Sequence, residues 1–80
     1  VEADFAPHML YVTNADKPGF IGRFGTTLAE AGINIATFHL GRNAPGGNAV
    51  CLVGLDGPVP ERVLAAVRAL PLVARAVPLA

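Results

Sequence analysis

Residues 14–19 read Asn-Ala-Asp-Lys-Pro-Gly, and residues 32–35 read Gly-Ile-Asn-Ile. These two stretches hold the side chains best suited to gripping a small charged molecule. Asn14 offers both a donor and an acceptor, and Asp16 offers a negative charge to an ammonium. The first stretch runs through Pro18 and Gly19 into an apolar helical pattern at Phe20. It therefore ends at exposed helix N–H groups, which attract an anion such as a carboxylate. Asn34 stands where a strand begins, with Ile35 beside it. An amino acid suits such a gap, its ammonium on Asp16 and its carboxylate on the helix N–H groups and Asn34. The same residues also have an ordinary structural explanation. Asp16 serves as a helix cap worth roughly 1 kcal/mol, Pro18-Gly19 is turn chemistry, and Asn34 follows a helix-ending glycine. Spacing alone leaves both readings open.

Other chemistries find little support. The chain has no serine to act as a nucleophile, and its carboxylates are too sparse for an evident acid–base pair. Its single cysteine, Cys51, excludes both an intrachain disulfide and a CxxC metal site. Set in the apolar run 48–55, it reads as a small buried hydrophobe and leans towards an intracellular, cytoplasmic setting. His8 and His39 fall on different strands and read as sheet-surface residues rather than ligands. No catalytic or metal residue is expected. Gly22 and Gly25 lie inside a helical pattern, where each costs about 1 kcal/mol relative to alanine. They are expected to let the helix backbone pack closely on a neighbour, within the domain or across a dimer.

Six Lys/Arg balance six Asp/Glu for a net charge of zero, and the basic residues are scattered singly. That argues against a nucleic-acid surface, and Tyr11 and Phe38 lack the basic neighbours of a base-stacking platform. No apolar run approaches the roughly 20 residues of a membrane span. Eighty residues, 52% of them hydrophobic, make one small domain with apolar surface to spare for a partner subunit. With Val1 in place of Met, the chain reads as a piece of a longer protein.

The elements that would position these residues follow from periodicity. Residues 1–7 read as a linker and 8–80 as the domain. The spacing predicts a strand over 8–14, then a helix capped by Asp16 with Pro18 in its first turn. Phe20, Phe24, Leu28 and Ala31 recur at helical spacing, and Gly32 closes that helix. Strands are predicted over 34–42 and 49–55, joined by a hairpin loop over 43–48. Pro60 opens a second helix with an apolar stripe of Val63, Leu64, Val67 and Leu70. Pro71 ends it, and 72–79 forms the last strand. The order β-α-β-β-α-β is the α+β, ferredoxin-like arrangement: a four-stranded antiparallel sheet with both helices on one face. Strands two and four are its edges, and the second is able to pair with a copy of itself.

The stretch from Asp16 to Arg42, with its acid-x-Pro-Gly, helix and Gly-Ile-Asn-Ile sequence, resembles the ACT domain family. Within that family, "GINIATFHLGR", "DGPVP" and "ALPLV" are most similar to the C-terminal regulatory domains of D-3-phosphoglycerate dehydrogenases. The resemblance spans residues 9–79. It implies the same fold, homodimers joined through their second strands, and L-serine or a similar small amino acid bound at that interface. It places Asp16 and Asn34 at the family's ligand positions, with Asn14 where serine-sensitive members carry a larger His or Tyr. Pro18, Gly19, Phe20 and Ile35 flank them in the same motifs. NAD belongs to the catalytic part of such an enzyme, and catalytic domains of the parent chain become partners. Two alternatives follow: a ligand-independent oligomerisation module of that enzyme, or the corresponding domain of an L-serine dehydratase. A phosphate-handling enzyme on this fold is disfavoured, because Asp16 would repel its substrate.

Overall fold

The computed structural model describes residues 8–42 and 47–79. The proposed linker 1–7 and most of the hairpin loop lie outside them. The elements are β1 (His8–Ala15), α1 (Phe20–Glu30), β2 (Ile35–Arg42), β3 (Asn48–Leu55), α2 (Glu61–Arg68) and β4 (Val73–Leu79). All pairings are antiparallel and the strand order is β2-β3-β1-β4, so β2 and β4 form the edges as the topology requires.

Period-2 alternation places Leu10, Val12 and Asn14 of β1 on the face that the helices cover, opposite Val53, Cys51 and Ala49 of β3. Onto them α1 lays Phe20, Phe24 and Leu28, and α2 lays Val63, Leu64 and Val67, in one shared core. Phe24 stacks on Phe20 at 5.6 Å between ring centroids and meets Phe38 at 6.3 Å, which seats α1 over the edge strand β2.

Helix α1 ends as its sequence dictates. Gly32 takes φ 76, a left-handed conformation that glycine adopts without strain. Its N–H donates to the Ala29 carbonyl at 3.0 Å, and the Ile33 N–H reaches the Leu28 carbonyl at 2.9 Å. This is a Schellman motif, with Ile33 packed back against the core.

The start of α1 differs from expectation. Gly19, not Asp16, is the N-cap, and as a glycine it has no side chain with which to cap the helix. Pro18 precedes the helix instead of lying in its first turn. The reason is the turn itself: Pro18 and Gly19 intervene, and Gly19 swings to φ 93, so Asp16 stands three residues too early. Gly22 and Gly25 also depart from one expectation. Among the described residues a Cβ at either position would meet nothing within 4 Å, so no described neighbour requires them.

Candidate functional site

The segment from Asn14 to Phe20 and the segment from Asn34 to Ile35 form two separate clusters. Ala15 pairs with Asn48 at one end of the sheet, whereas Ile35 pairs with Leu55 at the other. Seven strand steps at about 3.3 Å each put roughly 23 Å between those ends. One copy therefore does not bring Asp16 and Asn34 together.

In the first cluster Asn14 is the domain's buried polar side chain, 2% exposed among the described residues. Its Nδ2 donates to the Ala15 carbonyl at 3.0 Å, and its Oδ1 accepts the Cys51 thiol at 3.3 Å. Both ends of the amide are thus engaged inside the chain, which removes the penalty of about 1–3 kcal/mol for an unsatisfied buried group. Burial, and after it the charge of Asp16, push the Cys51 thiol up from 9.0 to about 11. The thiol stays protonated at neutral pH and remains the donor.

A pH dependence follows. The folded thiol holds its proton more tightly than the unfolded one, so its contribution is whole below about pH 9 and lost as pH rises towards 11. We expect roughly 2–3 kcal/mol of stability to disappear across that window. Urea unfolding from pH 8 to 11 measures it, and Cys51→Ser, whose hydroxyl does not titrate there, should show a shallower decline. Parallel slopes for the two proteins would remove Cys51 from the explanation.

Asp16 is half-buried, and its N–H donates to the Gly47 carbonyl at 2.7 Å, tying the turn to the end of the β2–β3 hairpin. Pro18 and Gly19 are exposed, while Phe20 turns into the core at 3% exposure. The first N–H groups of α1, three residues on from Asp16, receive no side-chain cap from Gly19 and lie at the positive end of the helix dipole.

In the second cluster Asn34 is exposed and Ile35 half-buried against the core. Asn34 accepts the Asp56 N–H at its carbonyl, 3.1 Å, and its Nδ2 donates to Asp56 Oδ2 at 2.8 Å. Register shifts fall beside both clusters, at Thr13/Asn14 in the β1–β4 pairing and at Ile35/Thr37 in the β2–β3 pairing. Such bulges concentrate where a sheet re-aims side chains next to a site. Sequence reasoning missed Cys51 and Asp56 as partners of the two amides. The signal was present in the alternation, which put Asn14 and Cys51 on one face.

Among the described residues, no group of three His, Cys, Asp or Glu could hold a metal ion, and no helix is long and apolar enough to cross a membrane. A family model described as the ACT domain matches residues 8–72. The chain belongs to the ACT domain family.

Its relatives are dehydrogenases. This ACT domain is 42% identical over 72 residues to D-3-phosphoglycerate dehydrogenase of Methanocaldococcus jannaschii, covering 88% of this chain and 14% of that protein. The Bacillus subtilis D-3-phosphoglycerate dehydrogenase is 36% identical over 63 residues, 76% of this chain and 12% of that protein. The Mycobacterium tuberculosis one is 40% identical over 60 residues, 75% and 11%. The chain therefore spans between 11% and 14% of the length of these curated relatives. A solved structure, the C-terminal domain of the MgtC protein from Mycobacterium tuberculosis, superposes with a TM-score of 0.63. It covers 99% of this chain and 92% of that chain at 15% identity, a likeness of fold alone.

Proposed function

We propose that this ACT domain is the amino-acid-sensing regulatory part of a D-3-phosphoglycerate dehydrogenase, with L-serine or a similar small amino acid held between two copies. The parent enzyme would use NAD in catalytic domains outside this chain and would work in the cytoplasm. The observation that carries the reading is the placement of the two clusters at opposite ends of the sheet. A two-fold axis beside the β2 edge reverses one copy, so the Asn34 end of each meets the Asp16 turn of the other. The ligand's carboxylate would lie at the uncapped start of α1 and its ammonium at Asp16. Serine then regulates to the extent that it binds one arrangement of the two copies more tightly than another.

A second reading has an observation in its favour. Both amides that a ligand would use, Asn14 and Asn34, already have hydrogen-bond partners within the chain. The domain would then assemble the enzyme without binding an effector.

Calorimetric titration with L-serine, at a concentration where sedimentation reports dimer, separates the two. We expect saturable binding near one serine per copy, and a stabilisation of about 2.7 kcal/mol at a hundredfold excess over the dissociation constant. Asp16→Ala should abolish the heat, and urea unfolding of the same variant separates a lost site from a lost fold. A silent titration with no shift in melting temperature would leave the assembly reading standing.

A further inference from the structure

The carboxyl end of α1, the start of β2 and the end of β3 enclose a groove of about 430 Å³ lined by Ala31, Ile33, Asn34, Asp56, Gly57 and Pro60. Asn34 and Asp56 are its hydrogen-bonding pair, and Asp56 is assigned no role by the fold or by the motifs. The bond between them fixes a chemical detail. An ionised carboxylate only accepts, so the atom of Asn34 at 2.8 Å from Asp56 Oδ2 must be the NH2 group. The amide is planar, so its Oδ1 then points away from Asp56.

The surroundings of the groove add the same sign. Asp56 contributes a negative charge, and the carboxyl end of α1 contributes the negative end of a helix dipole. Pro58 and Pro60, which also line it, bring no N–H. What this cluster offers outward is therefore an acceptor in a negative field. A carboxylate would be repelled there, and an ammonium would be taken.

We infer that Asp56 is a positioning residue for the effector site: by holding Asn34 Nδ2 it presents Asn34 Oδ1 to the ligand's ammonium, not to its carboxylate. The inference rests on the effector reading above and revises it in one respect. The ammonium is shared between Asp16 of one copy and Asn34 of the other, and the carboxylate is left to the start of α1.

A double-mutant cycle on the 80-residue chain tests it, with L-serine affinity and melting temperature measured for each protein. Asp56→Ala releases the amide and should weaken serine about tenfold, the loss of one oriented hydrogen bond. Asp56→Glu retains a negatively charged, acceptor-only carboxylate for Asn34 Nδ2 and should bind within about threefold of the parent. Because Asp56 acts through Asn34, the Asn34→Ala, Asp56→Ala double variant should bind no more weakly than Asn34→Ala alone. N-acetyl-L-serine, which lacks the ammonium, should be refused by the parent chain.

Additive losses in the double variant would overturn the inference. So would Asp56→Glu behaving like Asp56→Ala, or a fall in melting temperature for Asp56→Ala with serine affinity unchanged. Those results leave the effector reading intact, whereas a parent chain that takes up no serine sinks both.

Discussion

Phe24→Ala should remove about 3–5 kcal/mol of stability. A domain of this length holds only about 4–12 kcal/mol in total, at roughly 0.05–0.15 kcal/mol per residue. The size of the loss follows from where the ring sits. Phe24 is fully buried, stacks on Phe20 and tilts against Phe38, so one side chain ties α1 to the edge strand β2. Truncation forfeits the transfer energy of the ring and leaves a cavity that neither aromatic neighbour can fill. Both proposed halves of the effector site hang on these elements: the Asp16 turn leads into α1, and Asn34 leads into β2. Urea unfolding measures the change, and serine binding should fail in the same concentration range. A loss under about 1 kcal/mol would mean that α1 is held to the sheet mainly by other contacts.

Much of the architecture was legible because local rules and packing agreed. The alternation through Leu10 and Val12 named β1, and the same parity carried on to Asn14, burying it. Gly32 closed α1 because only a residue at ease with positive φ completes that turn. Asp16 misled for an equally physical reason. An acid two residues before proline is a common cap, but Gly19 re-aimed the chain and became the cap position itself. The site was harder to read than the fold. Asn34 and Asp56 are 22 positions apart, and only the β2–β3 register brings them together. Gly22 and Gly25 meet no partner surface among the described residues, and the second copy proposed above would supply one.

That second copy is the subject of the other large effect. Leu40→Asp should leave the chain folded, monomeric and unable to bind serine. Leu40 lies on the edge strand, in register with Cys51 of β3, yet 42% of its surface is exposed. Ile21, on the helix seated over that strand, is 55% exposed, so two large apolar side chains belong to the elements at the β2 edge. A two-fold seam presents every substitution twice, so two unpaired aspartates would enter the interface together. Each buried, uncompensated charge costs roughly 3–5 kcal/mol, enough to dissolve a modest dimer. In the monomer the same aspartate stays in water, and the change in unfolding free energy should be within about 1 kcal/mol. Sedimentation should then report a single species of 8.2 kDa. Serine binding should vanish with the dimer, because the Asp16 turn and Asn34 stand at opposite ends of one sheet. A monomeric Leu40→Asp chain that still binds serine at parental affinity would place the whole site within one copy, and the shared-site reading would fall. A chain that remains dimeric would move the seam away from β2.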